Sequence, residues 1–239
     1  MDVIWLIKDL FACKGNMQEW MNHRFRNDNI VMIRRDTTDH IVTTEGLKFG
    51  LEGCEEFGDL MTEYEFDDLG PDDIVLDLGA NVGGFAIRAA QLAKHVYAVE
   101  PLFWKELKDN ILRNNMVDKI TVIPRAIGYR DLVIDLQYRD HKAKVSTLPL
   151  RTLLADIPEK VTFLKVDIEG AEWGIDPVEF DGIPRIEFEA HGGDNSCMLV
   201  NPLVTDYLRK NWDTSETHKD IPYDSYWIHA YPRKQSKSL

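Results

Sequence analysis

The chain has 239 residues, of which 44% are hydrophobic and 29% charged, with a formal net charge of −13. That length can bury a real core in one or two domains, and the composition is that of an ordinary soluble globular protein. So acidic a surface repels phosphate backbones, which argues against nucleic acid or an anionic membrane as the main partner.

At the start of the chain, Ile4, Ile7, Leu10 and Phe11 recur at helical spacing and predict helix within residues 1–30. Asp2, Lys8 and Asp9 interrupt that run too early for a secretory signal. Nowhere does the chain approach the roughly eighteen apolar residues of a membrane-spanning helix. Cys13, Cys54 and Cys197 are odd in number, widely spaced and without a C-x-x-C pair. Such usage fits a reducing compartment better than a disulfide framework or structural zinc, and a cytoplasmic protein is expected. Arg24, Arg26, Arg34 and Arg35 cluster in sequence and read as a solvated face.

Alternation in residues 30–50 predicts short strands, broken by Gly46 and Gly50. An acidic, aromatic stretch follows, with a helix expected near Phe57 to Tyr64, and Gly70-Pro71-Asp72-Asp73 is a turn. From there strand and helix alternate. Strands are predicted over 74–78, 95–99, 119–123, 161–168, 183–189 and 225–230, and helices over 84–94, 103–115 and 202–211. A hairpin from 133–138 and 145–148 and a short helix within 149–156 complete the pattern. This is the rhythm of an α/β, doubly wound, mostly parallel sheet covered on both faces. Residues 1–70 are read as an N-terminal cap or extension, 71–232 as the main domain and 233–239 as a flexible tail.

Two motifs carry chemistry. In the first, the apolar run from Ile74 to Leu78 breaks into Gly79-Ala-Asn-Val-Gly83-Gly84 and then a helix, the strand, turn and helix of a nucleotide-type cofactor site. Its spacing, G-x-x-x-G-G, is not the G-x-G-x-x-G of dinucleotide enzymes, so NAD is disfavoured. Asp77 sits two residues before Gly79, where a carboxylate would repel a pyrophosphate but suit a positively charged ligand end, such as an amino group. Glu100 ends the next strand, 21 residues after Gly79, and can accept hydrogen bonds from both ribose hydroxyls of a nucleoside. Together these favour S-adenosyl-L-methionine.

The second motif is Phe163-Leu-Lys-Val-Asp167-Ile-Glu169-Gly-Ala-Glu172, a strand that ends in carboxylates. With Val75-Leu-Asp-Leu-Gly-Ala-Asn-Val-Gly83, Val99-Glu-Pro101 and Arg125-Ala-Ile-Gly128, it resembles the FkbM family of class I methyltransferases over about residues 70–195. The resemblance implies a Rossmann-like, seven-stranded fold with an antiparallel last strand, here Ser225 to Tyr231, and an O-methylated sugar or other small molecule as acceptor. It further implies that Asp77, Gly79, Asn81 and Gly83 hold the methionine end. Glu100, followed by Pro101, would bind the ribose, and Ala126 would border the adenine.

A hydroxyl acceptor must lose its proton during attack, which calls for a base. Asp167, at the carboxyl end of a central strand, is the first candidate, with Glu169 beside it. His191, in Glu189-Ala-His191-Gly-Gly, is the second, since an unperturbed imidazole titrates near neutrality. Glu172 reads as a first-turn acid. Glu187 and Glu189 share a strand face, one of them expected to pair with a base such as Lys165. His141, His218 and His229 show no carboxylate pattern, and Trp104 and Trp173 read as core or pocket lining. Asp167, Glu169 and His191 are donors suited to Mg²⁺ or Mn²⁺, but their spacing carries no metal signature and no metal ligand is assigned.

Three alternatives stand beside the small-molecule enzyme. A base-methylating enzyme often carries Asn-Pro-Pro-Tyr where this chain has Asp167-Ile-Glu-Gly, and there is no Pro-Cys nucleophile. A protein methyltransferase or a non-catalytic S-adenosylmethionine-binding domain is told apart by activity, although intact Asp77, Gly79, Gly83, Glu100 and Asp167 argue against decay. The sequence leaves the acceptor and any homo-oligomer open.

Overall fold

The computed structural model describes residues 34–35, 40–43, 45–50, 64–138, 141–192, 201–218 and 226–233. The helices expected within 1–30 and near 57–64, the three cysteines and the tail beyond 233 lie outside the described residues. Strands β1 (Arg34–Arg35), β2 (His40–Val42) and β3 (Lys48–Gly50) form a small antiparallel sheet. The αβ alternation then runs through β4 (Ile74–Leu78), α1 (Gly84–Leu92), β5 (His95–Val99), α2 (Trp104–Arg113) and β6 (Ile120–Ile123). A side sheet follows, of β7 (Ala126–Ile127), β8 (Leu132–Tyr138) and β9 (His141–Leu148), with the predicted hairpin as β8 and β9. The chain re-enters the main sheet through α3 (Leu150–Asp156), β10 (Phe163–Val166) and β11 (Arg185–Ala190). It finishes with α4 (Pro202–Asn211), β12 (Asp213–His218) and β13 (Tyr226–Tyr231).

The main sheet has the order β12-β13-β11-β10-β4-β5-β6. Strands β11, β10, β4, β5 and β6 are mutually parallel, and β13 runs antiparallel to both its neighbours. One face packs Leu76, Leu78, Val99, Leu164, Val166, Ile186 and Phe188 against α3 and α4. The other packs Val75, Val96, Ala98 and Phe163 against α1 and α2, through Phe85, Leu107 and Ile111. Strands covered on both faces read as largely apolar runs, interrupted in β4 by the buried Asp77, which is why β4 and β5 are legible in sequence.

Leu47, Phe49, Tyr64 and Leu69 belong to that second core, so the described part of the N-terminal segment packs on the same body. There β3 is anchored by side chains of α2 and its C-cap. Asn110 accepts from the Gly50 amide at 2.8 Å, and Asn114 accepts from Lys48 N at 2.8 Å while donating to Lys48 O at 2.7 Å.

Two departures from the sequence reading have physical causes. Strand β10 stops at Val166, because Glu169 (φ 55°) and Gly170 (φ 95°) adopt left-handed backbone and turn the chain. Strand β12, Asp-Thr-Ser-Glu-Thr-His, went unpredicted because it has no apolar alternation; it is an edge strand held through β13. No helix among the described residues is long and apolar enough to cross a membrane.

Candidate active site

The glycine loop is built from left-handed residues: Gly79 at φ 80°, Asn81 at 48° and Gly83 at 99°. The amides of Gly79 and Ala80 both donate to Val99 O at 3.0 Å, which ties the loop to the end of β5. Glu100 completes the tie. Its carboxylate accepts from Asn81 N (2.9 Å), Leu102 N (2.7 Å) and Phe103 N (3.0 Å), so one buried acid organises two loops. Burial raises the Glu100 carboxyl above the usual carboxylate range, against those three amides, which favour the ion. Pro101 turns the chain just beyond. Ala126 lies in β7, paired with Thr147, and is half-buried.

Asp77 is fully enclosed on β4. Lys165 of β10, directly abreast of it, lies 3.2 Å from its Oδ1, close enough for an ion pair but not aligned as a hydrogen bond. Lys165 instead donates to Gly79 O at 2.8 Å and also lies 3.3 Å from Asp167 Oδ2. Asp77 therefore acts on the loop through Lys165. As expected, one of Glu187 and Glu189 is buried and paired with a base, but that base is Arg185, with His229, for Glu187, while Lys165 lies against Asp77 and Asp167 and also acts on Glu189.

Beyond the ends of β10 and β11 the acids converge. Asp167 is joined by His191, whose Nε2 lies 3.7 Å from Asp167 Oδ1, 3.7 Å from Glu169 Oε2 and 3.6 Å from Glu189 Oε1. The other ring nitrogen, Nδ1, is 2.9 Å from Glu172 Oε1, which also accepts from the His191 amide at 3.0 Å. Glu172, read in sequence as a helix-end acid, is fully buried and holds the His191 ring; its second oxygen accepts from Gly170 N at 2.8 Å. Trp173 donates its indole N–H to His191 O at 2.8 Å. Burial disfavours the imidazolium, but Glu172, then Glu189 and Asp167, overcome it and push His191 up to about 10. At neutral pH this histidine is a cation, not the near-neutral group expected. Asp167 responds oppositely: burial works against its charge, yet Lys165, His191 and Tyr64 pull it below the ordinary carboxylate value. Glu169, the most exposed of the set, accepts from the Tyr138 hydroxyl of the hairpin at 3.0 Å.

Sequence reasoning missed Tyr64. Its hydroxyl lies 2.9 Å from Asp167 Oδ2 and 3.2 Å from Glu189 Oε2, and its ring stands edge-on to Phe85. No spacing rule links residue 64 to a motif a hundred residues away. His229, for which no acid was expected, pairs through Nδ1 with Glu187 at 2.7 Å. Their strands are register partners, so only the sheet topology could have shown it.

Five carboxylates (Asp77, Asp167, Glu169, Glu172 and Glu189) thus surround two cations, Lys165 and His191. An excess of negative charge beside a glycine loop favours a cationic ligand. Asn81 Oδ1, buried and without a donor, adds an acceptor at the loop. Both features fit a group carrying a sulfonium and an ammonium. Asp167, Glu169 and His191 also bring one ligand-capable atom each within 4.8 Å of one another, a spacing a divalent cation accepts, although the His191 imidazolium already places positive charge there.

Sheet, loop and strand-end acids are those of a doubly wound domain with a crevice at the carboxyl ends of its strands. Residues 77–175 match the profile of the methyltransferase FkbM domain. Among solved structures, methyltransferase FkbM from Methylobacillus flagellatus KT is similar in fold, at 19% identity and a TM-score of 0.51. The match covers 70% of this chain and 47% of that one, so this chain accounts for about half of that protein's length. More distant are the precorrin 8W decarboxylase from Methanobacterium thermoautotrophicum (16% identity, TM-score 0.45, 76% of this chain and 90% of that one) and an rRNA methylase from Streptococcus thermophilus (11%, 0.47, 69% and 90%). Neither bears on function here. No curated protein matches the chain.

Proposed function

We propose that this chain is an S-adenosyl-L-methionine-dependent methyltransferase that O-methylates a hydroxyl of a sugar or another small molecule. The observation that carries this reading is the meeting of Asp167, Glu189 and His191 at the carboxyl ends of β10 and β11, beside the Gly79–Gly83 loop. Asn81 and Glu100 would hold the cofactor at its methionine and ribose ends, with Ala126 at the border of the adenine. When bound, the cofactor supplies a methyl group on a sulfonium that leaves as a neutral thioether.

The chain's own residues then have three tasks. The acidic cluster steadies positive charge at the reacting centre and orients the acceptor hydroxyl. Asp167, ionised at neutral pH, receives the acceptor's proton. A carboxylate of low pKa suffices, because the acceptor oxygen becomes strongly acidic as it gains the methyl. His191, fixed by Glu172, holds Asp167 and Glu189 in place as a cation. The same negative charge supports a neutral or cationic acceptor over a phosphorylated one, which separates this reading from a nucleic-acid methyltransferase.

Calorimetry with S-adenosylhomocysteine against NAD tests the cofactor, and labelled S-adenosylmethionine with fractionated host extract finds the acceptor. Binding of NAD alone would sink the reading. Glu100→Ala should weaken S-adenosylhomocysteine binding roughly tenfold to a hundredfold, the worth of hydrogen bonds to a charged group. Asp167→Asn should leave that affinity nearly intact and lower turnover.

A further inference from the structure

The Tyr64 hydroxyl stands between two carboxylates, Asp167 at 2.9 Å and Glu189 at 3.2 Å. A hydroxyl has one hydrogen to donate, so it serves one of them at a time. The other contact becomes a hydrogen bond only when a carboxyl there carries a proton of its own. Packing alone does not account for this hydroxyl. The ring's contacts with Phe85 and with the Lys165 ammonium, 5.4 Å away in each case, would be made equally by a phenylalanine. What phenylalanine could not do is join Asp167 to Glu189.

We propose that Tyr64 relays the proton released by the acceptor from Asp167 to Glu189, an inference that rests on the methyl-transfer reading above. As the new C–O bond forms, the S–CH₃ bond breaks with its electron pair staying on sulfur. The acceptor's O–H bond breaks and the proton passes to Asp167. Asp167 then hands that proton to the Tyr64 oxygen while Tyr64 gives its own hydrogen to Glu189. Tyrosine ends as it began, and Asp167 is again an ion, ready for the next acceptor. Burial, ahead of the charges of Asp167 and Glu189, holds the phenol well above its usual value, so it works as a neutral hydroxyl and not as a phenolate.

Lys165, His191 and Asp77 face this trio. Lys165 and His191 both lie against Asp167 and favour its charged form, and both also act on Glu189. Asp77 opposes them from behind Lys165. Glu189 sits beside His191, on the other side of the Tyr64 hydroxyl from Asp167.

The test uses the full chain and Tyr64→Phe. Proton release on binding S-adenosylmethionine and S-adenosylhomocysteine is counted by calorimetry in buffers of different ionisation enthalpy. The sulfonium favours ionised carboxylates, so the unaltered protein should release more protons with the former at acid pH. Tyr64→Phe removes a donor from Asp167, so that extra release should move to higher pH. With the labelled acceptor fraction, kcat should fall about a hundredfold or more, with KM for the cofactor and affinity for S-adenosylhomocysteine nearly unchanged. Glu189→Gln, which keeps a hydrogen-bonding group but cannot take a proton, should lower kcat alike and serves if Tyr64→Phe folds poorly. A release profile that superposes on that of the unaltered chain, or either variant turning over normally, overturns the relay alone. Failure of the unaltered chain to bind S-adenosylhomocysteine overturns the methyl-transfer reading, and the relay with it.

Discussion

A Cβ added to Gly79 would lie 1.7 Å from the carbonyl oxygen of Asp167 and 3.3 Å from Ile168 Cγ2. The glycine is thus required by contact between the two loops that carry the site, as well as by its φ of 80°. Gly79→Ala should cost about 2–5 kcal/mol, from left-handed strain plus overpacking against backbone that cannot yield. Chemical denaturation measures this. Gly182, also left-handed (φ 82°) but with nothing within 4 Å of its added Cβ, is the control and should lose only about 1–2 kcal/mol. In sequence Gly79 reads as a place where backbone meets ligand. The motif was legible, but its neighbour was not, because the partner loop is ninety residues away in the chain.

The segment from Tyr64 to Leu69 is pinned to the main sheet by Arg185 of β11. Arg185 Nε donates to Asp68 at 2.8 Å, its guanidinium pairs with Glu187 and lies 3.8 Å from Glu65, and it stacks 4.0 Å from the Tyr231 ring centroid. Arg185→Met would leave Glu187, fully buried, with His229 as its remaining charged partner. The expected loss is about 3–5 kcal/mol, read from urea denaturation. Adding Glu187→Leu should recover much of it, since the cost is the stranded charge rather than the missing contact. If the double variant is no more stable than the single one, the network is not electrostatic in origin. Because this pin sets where Tyr64 stands, Arg185→Met should also resemble Tyr64→Phe in turnover. Sequence alternation does show that Arg185, Glu187 and Glu189 share one face of a strand. It does not show which neighbours they meet, and so it does not show that Arg185 itself is the base beside Glu187. Strands β4 and β5 and helix α4 are legible to the residue, because a largely apolar run or an Asn-Pro helix start needs no partner to be read.

At the scale of the whole molecule, most of the buried groups with shifted titration lose stability as pH rises. His191 is pushed up to about 10 in the fold from 6.5, so its contribution is fully present below about pH 6.5 and is lost as pH rises toward 10. His229 is raised too, burial opposing and Glu187 favouring its charge, and contributes with the same sign. Asp77, Glu100 and Glu187 are raised by burial, so each also prefers its protonated form in the fold, and each loses stability as pH climbs through its folded value. Asp167 opposes them, its stabilisation being lost only in acid, below the usual carboxylate range. The formal net charge of −13 counts the histidines as neutral, so the chain approaches it as they lose protons, which adds repulsion on the alkaline side. The melting temperature should therefore fall steadily from about pH 6.5 to about pH 10. His191→Gln should flatten much of that fall by removing the histidine raised to about 10 while keeping a hydrogen-bond partner for Glu172. A melting temperature that holds level or rises over that interval would mean that His191 is not the cation its four acidic neighbours make it. The relay would then lose one of the two cations that hold Asp167 ionised.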